Sequence, residues 1–131
     1  TTLIANERTS TITEVDRAGK IVWRWQAPNP NVRRTYQALR MPDGTTAVSI
    51  SDPGELLFVD AAGKVVRTIG NAGDPTSGLK FGWVSGVWPA ADGTVFVADY
   101  TGRRIAEINA KGELVNELRN VPWSIASIAV P

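Results

Sequence analysis

The chain has 131 residues, 43% of them hydrophobic, and a formal net charge of +1. That is enough apolar material for a real core, which excludes a disordered segment, and the interleaved charges call for neither nucleic acid nor a membrane surface. It holds no cysteine and no histidine, which removes disulfides, thiolate chemistry, and the commonest general base and transition-metal ligand.

In chain order, residues 1–26 open with short β-branched and aliphatic runs, TTLIAN and STITEV, then KIVWRW. Strands are predicted next at 36–41, 45–51, 56–60 and 64–69. A glycine- and proline-containing connector follows at 70–82, then strands at 83–88, 94–99, 105–109 and 113–118, and a last one at 124–130. Most are β-branched and aliphatic runs of four to seven residues, bounded by turn residues. No long stretch has helical periodicity. No run of eighteen apolar residues occurs, so no segment should span a bilayer, and a soluble protein of unassigned compartment is expected.

The elements repeat. Residues 1–22, 45–66 and 94–115 align without a gap, at offsets of 44 and 49 residues. Leu3, Ala47 and Phe96 share a column, as do Ile4, Val48 and Val97, and Val15, Val59 and Ile108. Asp16, Asp60 and Asn109 each precede a glycine by three residues (Gly19, Gly63, Gly112). Each D/N-x-x-G predicts a tight turn, with an Asx side chain bonding its own backbone and a glycine free to take positive φ. Strands before each repeat align on a proline: YQALRMP, WVSGVWP and IASIAVP, with small residues at Ala38, Ser85 and Ser127.

Four short strands per unit, repeating at forty-odd residues, are the signature of β-propeller blades. A solenoid is the alternative, although its repeats are usually shorter or helical. The expected fold is all-β, with three four-stranded blades per chain. The units run approximately over 1–26 plus 124–131, 36–70 and 83–119, so the first blade is split between the termini. Three blades are too few for a closed ring, and an open arc would leave unpaired edges. A homodimer is therefore expected, in which strand 124–130 of each copy completes the first blade of the other and six blades close. The alternative is half of a longer natural chain.

Residues 93–115, GTVFVADYTGRRIAEINAKGELV, resemble the NHL repeat: a glycine turn, a V-x-V-A-D strand, R-I and an Asx-x-x-Gly turn. The first unit, TLIANERTSTITEVDRAGKIVWRW, is similar to blades of arylsulfotransferase-like and quinoprotein-like propellers, which often carry a tryptophan where Trp23 stands. These resemblances imply the architecture and leave function open, since such blades host enzymes, binding modules and scaffolds alike. The catalytic histidine that the arylsulfotransferase resemblance implies is missing. No cluster matches a quinoprotein's calcium and cofactor ligands, and the inner strands hold no Asp, Glu or Asn for a lactonase-type metal. No catalytic residue, cofactor or metal is therefore assigned. RNA binding, as in some NHL proteins, ranks last among the readings.

In this blade order, the loops entering each innermost strand share one face with the loops between second and third strands. Those loops carry seven basic and four acidic residues, a net of +3 per chain. Arg33, Arg34, Arg103 and Arg104 are the candidate contacts for a small anionic ligand. The competing reading pairs them with nearby acids such as Asp99 on a solvated rim. Tyr36, Trp83 and Trp123 fall near the loop ends of the inner strands, where they either line the channel mouth or wedge between blades. Trp23 and Trp25, two apart on an outer strand, are expected to pack against the neighbouring blade.

Overall fold

The computed structural model describes residues 1–70 and 79–121. Trp123, the strand expected at 124–130, and most of the 70–82 connector lie outside them.

The described residues form eleven strands. The first sheet comprises β1 (Thr2–Asn6), β2 (Thr11–Val15) and β3 (Ile21–Gln26), in that order. The second runs β4 (Thr35–Arg40), β5 (Thr46–Ile50), β6 (Glu55–Val59) and β7 (Val65–Gly70), and the third β8 (Val84–Pro89), β9 (Val95–Asp99), β10 (Arg104–Ile108) and β11 (Leu114–Arg119). Every pairing is antiparallel. The eight strands predicted in the second and third units all form, each end within one residue of its expected place.

Turn chemistry explains this regularity. In all three sheets the Asx residue before the last strand accepts the amide of the glycine three residues on: Asp16 from Gly19, Asp60 from Gly63, Asn109 from Gly112, at 3.0, 3.0 and 2.9 Å. Its side-chain Oδ1 accepts a second amide from Lys20, Lys64 or Glu113. The three glycines take φ of 81°, 85° and 89°, which costs a residue with a Cβ more than glycine. A ladder irregularity follows at the same repeat position each time, at Glu14/Val15, Phe58/Val59 and Glu107/Ile108. Local sequence thus sets the turn, and the turn sets the register.

The sheets stack in chain order, with β4 beside both β1 and β8. The second sheet is the middle layer, so both its faces are covered. Val48, Ile50, Leu57 and Val59 pack with Ile12 and Trp25 of the first sheet. The alternate residues Ala47, Leu56, Phe58 and Ile69 pack with Val84, Val87, Val95, Val97 and Ile108 of the third. Every residue of β5 and β6 is consequently buried. Trp25 and Trp23 lie between first and second sheets, their indole N–H groups donating to the carbonyls of Gly63 and Ala61 at 3.0 and 3.1 Å. That satisfies the polar edge of each ring while its body is packed.

Candidate functional site at the mouth of the inner strands

The loops at one end of the strands meet as predicted from the blade order. A cavity of about 280 Å³ there is lined by Glu7, Arg34, Ser51, Asp52, Gly82, Trp83 and Thr101. All three sheets contribute: Glu7 from the β1–β2 loop, Arg34 from the approach to β4, Trp83 from the approach to β8.

The four candidate arginines divide into two kinds. Arg33 donates through Nε and Nη2 to the Glu55 carboxylate, at 2.7 and 3.3 Å, and Glu55 is fully buried. Arg104 is itself buried, donating to Asp99 and Glu117 at 3.1 Å each and to the Lys80 carbonyl, with its guanidinium over the Phe81 ring. These two are held by carboxylates inside the loop layer. Arg34 and Arg103 are exposed, and their guanidinium groups are in no ion pair among the described residues. The arginine quartet therefore reduces to two solvent-facing cations at this face, of which Arg34 borders the cavity.

Asp99 organises the other side of the mouth. Its Oδ1 accepts the amides of Gly82, Trp83 and Gly102 at 3.1, 3.3 and 3.0 Å, while Oδ2 takes Arg104. This fixes the approach to β8 and so positions Trp83. Glycine is required at both contact points: a Cβ would stand 2.2 Å from Asp99 Oδ2 at Gly102, and 1.9 Å from Thr101 Oγ1 at Gly82.

Trp83 is half-buried and meets two tyrosines edge-on, Tyr36 at 6.0 Å and Tyr100 at 5.2 Å between ring centroids. Tyr36 is 48% exposed, so it faces solvent at the mouth rather than wedging between sheets. The Trp83 indole N–H is buried and has no acceptor among the described residues, an uncommon state for a buried donor.

Three participants escaped the sequence reading. Glu55 and Tyr100 carried no signal of a site. Gln37, the one side-chain amide on the described inner strands, accepts the Val87 amide at 2.8 Å and so bridges β4 to β8. A side-chain amide on an inner strand was the available clue, and the neighbouring inner strand leaves it room at Gly86, where a Cβ would meet Gln37 Oε1 at 3.1 Å. Among the described residues no group of three or more acidic side chains converges on a point where a metal could sit.

No protein-family model and no curated protein matches the sequence. Solved structures do match. A protein of unknown function from Bacteroides caccae shares 20% identity at a TM-score of 0.59, over 89% of this chain and 41% of that one. A virginiamycin B lyase from Staphylococcus aureus shares 17% at 0.65, over 89% and 37%. A streptogramin B lyase shares 16% at 0.68, over 89% and 36%. The chain spans less than half the length of each, and at these identities the likeness speaks for fold alone. Together with the three antiparallel sheets, it supports a β-propeller-like, all-β fold.

Proposed function

We propose that this chain is a non-enzymatic propeller module that closes a six-bladed ring with a second copy of itself and binds a small anionic ligand at the mouth of the inner strands. The observation that carries the assembly is the pair of open sheet faces. On the outside of the third sheet, Phe96, Ile105 and Leu118 border a groove of about 210 Å³, with Leu118 61% exposed. On the outside of the first sheet Ile4 is 49% exposed, with Arg24 two strands over in the same register row, through Thr13. Apolar faces of this kind mark interaction surfaces. Their charges are complementary: Glu107 lines the third-sheet groove and Arg24 stands on the first-sheet face. A two-fold pairing would set each first sheet against the other copy's third sheet and cover all four faces.

Ligand binding rests on the cavity at the mouth. The Arg34 guanidinium borders it, exposed and in no ion pair among the described residues, which suits an acceptor-rich anion. Solution mass tests the assembly. A single species near twice 14.1 kDa by light scattering is expected. A monomer would overturn closure by a second copy.

A second reading, a relative of a propeller enzyme, is favoured by the lyases among the similar structures. One of those solved lyases, a histidine-to-alanine variant, is described as catalytically inactive. The present 131 residues contain no histidine, so they supply no such group from this stretch. The NHL and arylsulfotransferase resemblances leave the same choice between binding module and enzyme.

A further inference from the structure

At the other end of the strands, the turns of the second and third sheets enclose a cavity of about 370 Å³. Its apolar wall is Met41 and Phe58, and its polar groups are Arg67, Asp43 and Asp92. The Arg67 guanidinium carbon lies 4.9 Å from the centroid of the Phe58 ring. Its Nη2 is buried without a hydrogen-bond partner, and Arg67 is in none of the ion pairs among the described residues. Room for it is left by Gly112, where a Cβ would come within 3.0 Å of Nη2. Burial holds the Arg67 pKa below its usual range, an effect the nearby Asp43 charge partly offsets. A cation kept in a half-enclosed site with unmet donors is costly unless something completes it.

Neither aspartate is in an ion pair among the described residues. Each is bonded within its own turn: Asp43 Oδ1 accepts the Thr45 amide at 2.9 Å and the Thr45 hydroxyl at 2.7 Å, and Asp92 Oδ1 accepts the Thr94 amide at 2.9 Å. One arginine and two aspartates give the cavity a formal charge of −1. A simple anion would satisfy Arg67 against that balance, and a simple cation would leave Arg67 unmet. A zwitterion answers both ends, and an apolar side chain would cover Met41 and Phe58. Cavities of this size accommodate small molecules of that kind.

We propose that this cavity binds a free α-amino acid with an apolar side chain, its carboxylate on Arg67 and its ammonium facing Asp43 and Asp92. The site is separate from the mouth cavity and does not depend on ring closure.

The test is a titration of the purified chain followed by backbone amide NMR shifts, using L-leucine, N-acetyl-L-leucine and L-leucinamide. L-Leucine is expected to move the amides of Gly93 and Ala110. Each derivative, lacking one charge, should bind about tenfold more weakly, as for loss of one charge-assisted pair. Arg67→Gln should weaken L-leucine by about the same factor. No shift up to about 10 mM L-leucine, equal binding of the three compounds, or unchanged affinity in a folded Arg67→Gln would each overturn the assignment. Should Arg67→Gln not fold, the three-compound comparison on the unaltered chain decides.

Discussion

Arg33 reaches Glu55 across 22 residues of sequence and closes a two-point ion pair on it, at 2.7 and 3.3 Å, with Glu55 wholly shielded from solvent. In the aligned repeats the position of Glu55 is taken in the third unit by Arg104. Arg104 is also buried, and it also ties the approach loop down, through Asp99 and the Lys80 carbonyl. One repeat position therefore does the same job with opposite charge in neighbouring sheets: it fastens the loop entering the inner strand to the start of the third strand.

Removing one partner of such a pair leaves a buried charge unanswered. Arg33→Ala is expected to lower unfolding stability by about 3–5 kcal/mol. Glu55→Gln combined with Arg33→Ala should recover part of that loss, since the remaining group is neutral. Urea unfolding of the three proteins measures both. Equal stability of Arg33→Ala and the parent chain would show the pair to be energetically idle.

Asp99 holds three backbone amides and Arg104 together. Asp99→Ala should cost about 3–5 kcal/mol, whereas Asp99→Asn keeps the Oδ1 acceptor and should cost less. Thermal unfolding ranks the two, and the reverse order would contradict the hub arrangement.

Two glycines with nearly the same φ separate backbone strain from crowding. Gly19 and Gly54 both sit at φ +81°, but a Cβ at Gly19 meets nothing within 4 Å, while at Gly54 it would lie 2.3 Å from the Phe81 carbonyl oxygen. Gly19→Ala should cost about 1 kcal/mol, the left-handed penalty alone. Gly54→Ala must also move backbone and should cost about 3 kcal/mol or more. Denaturant midpoints of the two variants provide the comparison.

Acid should weaken the turns at the end of the strands away from the mouth. The Thr45 hydroxyl and amide hold the Asp43 carboxyl below its ordinary 3.8, and those of Thr94 do the same for Asp92. A carboxyl with a depressed folded pKa binds its proton less readily in the folded state. Its stabilisation is complete above the ordinary value and disappears as pH falls through the lowered one. A melting temperature followed from neutral pH to about pH 2 should fall more gently at the acid end in Asp43→Asn than in the parent. Parallel curves would remove Asp43 from the acid response.

Assembly predicts a surface effect without a stability effect. Leu118→Glu places a charge on the exposed third-sheet face. It should turn the doubled species into a monomer, with circular dichroism unchanged. A doubled mass in that variant would place the contact elsewhere.

The sequence by itself determined the repeat, the eight strands of the second and third units to within one residue, and the turns, because each depends on groups a few residues apart: an Asx side chain, the amides after it, a glycine at positive φ. It also placed Trp25 and Trp23 between sheets, since a bulky pair two apart on a strand must find one apolar face. Only the tertiary structure decided which arginines are occupied and which are available. Arg33 and Arg34 are neighbours in sequence, yet one is locked onto buried Glu55 and the other is exposed beside the mouth cavity. The same holds for Gln37, whose acceptor role depends on an inner strand 50 residues away. Pairings of that kind are set by how sheets stack, and a stacking angle leaves no mark at any single residue.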